Sequence, residues 1–266
     1  MNREENTDLK LKPYLVAPIL FVLCLLALLA TWAAMEPAAL RHFFDADGYS
    51  PFELATLPFY AAIVPLVWWK CPFTGSPRRR ALLCAAVSCV AVMAVVKEMD
   101  LHLMAIKALF PEVVNANGSV HGLVKPDGTA LTGTPFKMRF LTNAGAPLAA
   151  KAFVVFYFGA FFGVFAVLLA YFFPQLVKGF FALHPVAWTM CCFGTSGVMV
   201  QLCDRMPAWI RHVRGLPKEK TVDAVSSLFT ALEEGGEMMI ALFALLAIYQ
   251  AHRIYHSAAA DAESPA

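Results

Sequence analysis

Long runs without a charged side chain punctuate the chain. Residues 13–35 and 152–177 each continue for more than 20 positions without Asp, Glu, Lys or Arg. A helix rising 1.5 Å per residue needs about 20 such positions to cross a hydrocarbon core of roughly 30 Å. A third run, 179–203, is interrupted near its start by His184 and Pro185, so its helix is expected to begin there. The runs 54–69, 81–96 and 238–252 are shorter, and each reaches full span length only by taking in acidic residues at one end. The pattern therefore predicts six helices, near 14–35, 51–69, 81–103, 150–174, 185–204 and 227–250. Residues 1–255 then form a single all-α polytopic transmembrane bundle, with a solvated tail at 256–266. Lys10 and Lys12 precede the first run as in a secretory signal, but that run exceeds the usual signal core and lacks a well-placed small-residue cleavage site before Glu36. It is expected to be a retained helix. Pro58 and Pro65 are expected to kink the second helix around Thr56 and Tyr60.

Composition strengthens the membrane assignment. Hydrophobic residues make up 59% of the 266, charged residues 15%, and mean hydropathy is +0.62, which leaves too little charge to coat a soluble surface. Disordered and disulfide-scaffold classes are excluded on the same ground. A net charge of +2 offers nothing to a polyanion, so the expected partner is the lipid bilayer and not nucleic acid. Protein partners leave no signature in the sequence.

Orientation rests on basic clusters beside helix ends. With six spans, the N-terminus, the 70–80 loop, the 175–184 loop and the C-terminus share one side. Arg78, Arg79 and Arg80 sit there with Lys10, Lys12 and Lys70. The opposite side holds 12 of the 21 basic residues but also 14 of the 19 acids. The compact arginine cluster favours both termini in the cytoplasm. Between the third and fourth helices, residues 103–149 carry the turn signals Asn117-Gly118, Pro126-Asp127-Gly128 and Gly133-Thr134-Pro135. A short hairpin pairing 120–125 with 129–132 would make a small loop cap. Asn117-Gly118-Ser119 also fits a glycosylation acceptor pattern. Six of the seven cysteines lie in apolar runs, with Cys71 at a border, and no C-x-x-C occurs. Small apolar filler is the expected role of these thiols.

The acids carry the candidate chemistry. Alternating helices bring Glu53, Glu98, Asp100, Asp204, Glu233, Glu234 and Glu237 to helix ends at one membrane boundary, where water lowers the cost of charge. At about 100° per residue, Glu233 and Glu237 fall about 40° apart with Glu234 close by, giving the last helix one acidic face. Carboxylates so close repel, and call for a proton, a divalent cation or Arg139 beside them. Oxygen ligands alone suit magnesium, calcium or manganese, whereas recruitment of Glu98 and His102, which share a face at i, i+4 spacing in the predicted third helix, would favour zinc or iron. Lys97, Arg139, Arg205 and Arg211 offer the plainer alternative of interfacial ion pairs, above all for Asp204 beside Arg205. Gly235 and Gly236 leave room for a helix or a ligand. Gly159-x-x-x-Gly163 and the small residues Gly194, Ser196 and Gly197 suit close helix packing. No HExxH, GxSxG, P-loop or GxGxxG motif is present.

The blocks Pro51-Phe52-Glu53-Leu54-Ala55-Thr56, Lys97-Glu98-Met99-Asp100-Leu101-His102 and Leu232-Glu233-Glu234-Gly235-Gly236-Glu237 resemble those of uncharacterised bacterial multi-spanning inner-membrane proteins. In such proteins an acid opens one helix, an acid-x-x-x-His block closes the next, and paired glutamates open the last. The resemblance implies a bacterial inner-membrane location and brings no activity with it. Three functions stay open: binding or transport of a small cation or proton, a metal-dependent membrane enzyme acting near the lipid headgroups, and a non-catalytic structural subunit.

Overall fold

A computed structural model describes residues 12–44, 50–99, 101–110, 141–142, 147–214 and 224–262; the side chains of residues 102, 103, 107, 211, 214, 224 and 256–262 lie outside the description. Every regular element among the described residues is helical. After a 3-10 turn at Pro13–Leu15 come α1 (Val16–Ala34), α2 (Pro37–Phe44), α3 (Pro51–Lys70), α4 (Pro77–Glu98), α5 (Leu101–Leu109), α6 (Leu148–Phe181), α7 (Pro185–Arg214) and α8 (Ala224–Ala262). Five segments are long and apolar enough to cross a membrane: Pro13–Ala34, Pro51–Lys70, Pro77–Glu98, Leu148–Phe181 and Pro185–Ile210. The chain is an all-α helical bundle with the character of an integral membrane protein. The sixth predicted segment is present as α8, which is not among these five. Its charge-free stretch is short, because Glu237 closes it on one side and Arg253 on the other. The proposed hairpin cap at 120–132 lies outside the described residues.

Several ends differ from the hydropathy reading. The α6, α7 and α8 helices run on past residues 174, 204 and 250, since backbone hydrogen bonding does not stop where the apolar side chains do. Pro58 and Pro65 remain within one unbroken α3. At the start of α4, Ser76 and Pro77 form the entry, with the Arg79 N–H 3.4 Å from the Ser76 hydroxyl, so the three arginines belong to the helix. The predicted third helix is divided: α4 ends at Glu98, Met99 is in a turn, and α5 begins at Leu101. That break corrects the continuous helical face expected for Glu98 and His102.

The residues divide into two compact units, 1–84 with 172–266, and 85–171. In the first, α8 packs against α7, α3, α1 and α2. Its buried Ala231, Met239 and Phe243 meet Ala17 and Leu28 of α1, Leu40 and Phe44 of α2 and Cys192 of α7. The short α2, which hydropathy misses, spaces Leu40 and Phe44 at i, i+4 and buries both to 1% exposure. Phe44 lies 4.5 Å from Phe52, ring centre to ring centre, and Phe21 stacks on Phe243 at 6.1 Å. In the second unit, Ile106, Ala150 and Val154 form the core with Phe110, Leu141, Phe153 and Phe158 around them. The Tyr157 hydroxyl donates to the Met93 carbonyl at 3.0 Å. Leu23, Leu26, Val155, Phe156 and Val167 are exposed, as side chains facing lipid are.

Candidate functional site

The acidic turn of α8 lies in the best-enclosed helix of the first unit. Gly235 and Gly236 explain how close that enclosure is. A Cβ on Gly235 would run into the methyls of Leu28 of α1, and one on Gly236 would come within 2.6 Å of Val200 Cγ2 and 3.0 Å of Met199 Cε, both of α7. The glycines admit neighbouring helices, which is one of the two uses their spacing suggested. By contrast, a Cβ on Gly159, Gly163, Gly194 or Gly197 would meet nothing within 4 Å, so no close approach depends on those four glycines, whereas Ser196 beside them in α7 is fully buried.

Glu237 is buried to 9% exposure, while Glu233 and Glu234 are half-buried. One carboxylate oxygen of Glu234 and one of Glu237 lie within 4.8 Å of each other. The i, i+3 spacing produces this: successive turns of one helix present the two side chains on one side. Oxygen ligands stand about 2.0 to 2.6 Å from magnesium or calcium, so two oxygens less than about 5 Å apart can share one such ion. From α3, the Tyr60 hydroxyl donates to the Glu237 backbone carbonyl at 2.9 Å, fixing the helix turn that carries the carboxylate. Sequence reasoning placed Tyr60 near a kink and did not connect it with Glu237, because the two are 177 positions apart. At the other end of α8, the Thr189 hydroxyl and Gln250 Oε1 are 2.6 Å apart, and His252 Nδ1 is 2.6 Å from the Lys70 carbonyl.

Glu53 is engaged in a capping box at the entry of α3: its carboxylate accepts the Ser50 N–H at 2.7 Å, and its own N–H donates to the Ser50 hydroxyl at 3.0 Å. Ser50 in turn donates to the Phe44 carbonyl at 2.9 Å, tying α2 to α3. The Ser-Pro-Phe-Glu sequence is a recognisable signal for that cap. Asp204 is exposed, as is Arg205. In the second unit, Glu98 has a side chain 6% exposed and pairs with Lys97 at 3.0 Å. His102 belongs to α5, but its side chain lies outside the description. Asp100 and Arg139 are not among the described residues.

No family model matches the chain, and no curated protein or solved structure matches it.

Proposed function

We propose that this integral membrane protein binds a small cation through the carboxylates of Glu234 and Glu237. Glu233, on the same acidic stretch of the helix, contributes negative potential. The observation that carries the proposal is the burial of Glu237 with a Glu234 oxygen inside bridging distance. Two carboxylates on a largely enclosed helix raise the local affinity for positive charge, because water screens them poorly there. Hard oxygen donors favour magnesium, calcium or manganese. Transport of the same ion is the natural extension for a site at a membrane boundary. The cluster of Arg78, Arg79 and Arg80 supports an orientation with both termini in the cytoplasm.

Metal analysis of purified full-length protein, combined with thermal unfolding with and without chelator, tests the site. The expected result is a wild type that carries a divalent ion and loses stability in chelator, and a Glu234→Gln/Glu237→Gln variant that does neither. A wild type indifferent to chelator, together with a double variant more stable than it, would overturn metal binding and leave proton uptake as the means of neutralising the pair.

A further inference from the structure

The junction between α3 and α4, in the first unit, contains a sulfur pair that the cation site does not use. The Sγ atoms of Cys71 and Cys84 are 3.8 Å apart. Cys84 is buried to 2% exposure and its thiol also lies 3.5 Å from the Val67 carbonyl. Cys71 is half-buried and ends α3 with φ of 27° and ψ of 82°, an unusual conformation for a residue with a Cβ. The bond from its N–H to the Val67 carbonyl, 3.0 Å, holds it there. Val67 thus receives both cysteines, one through the backbone and one through sulfur. The short 71–76 connection then turns into α4, whose first turn supplies Arg80.

We propose that Cys71 and Cys84 are a peroxide-reactive dithiol, with Cys71 as the attacking sulfur and Cys84 as the resolving one. Accessibility divides the roles, because an oxidant meets half-buried Cys71 before it meets enclosed Cys84. Electrostatics agrees. Burial pushes the Cys71 thiol up, but hydrogen bonds involving the Phe73 backbone, Arg80 and Cys84, with the charge of Arg80, outweigh it and hold the thiol below its ordinary value. The thiolate is the nucleophilic form.

In the first step the Cys71 thiolate attacks one peroxide oxygen. A sulfur–oxygen bond forms, the oxygen–oxygen bond breaks, and the departing hydroxide leaves as water with a proton from solvent. Cys71 is now a sulfenic acid. Cys84 then attacks the Cys71 sulfur, forming the disulfide and expelling hydroxide, which takes the Cys84 proton and leaves as a second water. Two thiols are oxidised and one hydrogen peroxide is reduced to two waters. The sulfurs must close from 3.8 Å to a bond of about 2.05 Å, a movement within reach of side-chain rotation and a small shift of the connection.

The test treats reduced full-length protein with hydrogen peroxide at neutral pH in the presence of chelator, which keeps it separate from the cation site. The expected wild-type product has lost two hydrogen atoms in intact mass, yields a crosslinked peptide containing Cys71 and Cys84, and returns to the starting mass with dithiothreitol. Cys84→Ser should stop at a Cys71 sulfenic acid that dimedone traps. Arg80→Gln should slow the first step by about twofold or more. Wild-type protein that keeps all its thiols under these conditions, that forms its disulfide elsewhere, or that carries Cys71 on to sulfinic acid without a crosslink overturns the proposal. The wild-type mapping decides it even if a variant fails to fold.

Discussion

Glu53 and Glu237 are both acids of the first unit, yet their neighbours give them different work. Glu53 completes the Ser50 cap, a role its Ser-Pro-Phe-Glu setting announces. Ser50→Ala should cost about 1 kcal/mol, read as a lower denaturation midpoint of full-length protein in detergent. Glu53→Gln should leave the metal content unchanged, and a loss of bound ion in that variant would move Glu53 from the cap into the site. Tyr60→Phe removes the hydroxyl that reaches the Glu237 carbonyl. Its expected effect is about 0.5 to 1.5 kcal/mol of stability. At Cys71, a thiol held below its ordinary value becomes reactive at lower pH than a free cysteine. Removing Arg80 takes away stabilisation of the thiolate, so Arg80→Gln should move the onset of Cys71 alkylation to higher pH. An unchanged pH profile would mean that Arg80 does not govern that sulfur. The acidic face at 233–237 was legible in the sequence from helical spacing alone. Tyr60 and the Cys71–Cys84 contact were not, because each pairs residues from separate helices.

At the scale of elements, hydropathy located the long helices, missed the short α2 and misjudged several ends. The apolar signal fades at the last lipid-facing residue, whereas a helix continues until its backbone finds another partner or a turn. Local chemistry marks those points better: Pro37, Pro51, Pro77 and Pro185 each stand at a helix start, as a residue without an N–H suits. The α8 helix shows a different limit. Its Gly235 and Gly236 serve close packing against α1 and α7, and composition does not tell this from room for a ligand. Gly236→Ala should destabilise the protein by about 1 to 3 kcal/mol, the range for overpacking, since Val200 Cγ2 would stand 2.6 Å from the new Cβ. The same substitution at Gly194 meets nothing within 4 Å and should be tolerated. Thermal unfolding of the two variants side by side checks the contrast, and equal effects would remove the packing account of Gly236.

For the whole molecule, the decisive element is α8. It is apolar enough over 238–252 to have been read as a span, yet it lies outside the five helices that meet length and composition together. It is also the helix most enclosed by others in its unit, with Ala231, Ala241 and Phe243 at zero exposure. A helix surrounded by helices need not show lipid an apolar face, so hydropathy alone undercounts it. Between residues 75 and 260 lie four helices of spanning length, α4, α6, α7 and α8, and the nine-residue α5, which is too short to cross. If all four cross, the two positions share a compartment; if α8 does not, they are opposed. Reporter fusions after these residues therefore read α8 directly. The expected result is the same compartment at both positions, the cytoplasm on the strength of Arg78, Arg79 and Arg80. The consequence reaches the proposed cation site, because Glu234 and Glu237 sit before the apolar stretch of α8 and Thr189, Gln250, His252 and Lys70 sit near its end. With α8 crossing, the carboxylates face the compartment opposite the termini and any bound ion enters from there. Opposite reporter signals at 75 and 260 would leave the termini on different sides and remove the basis for that direction of entry.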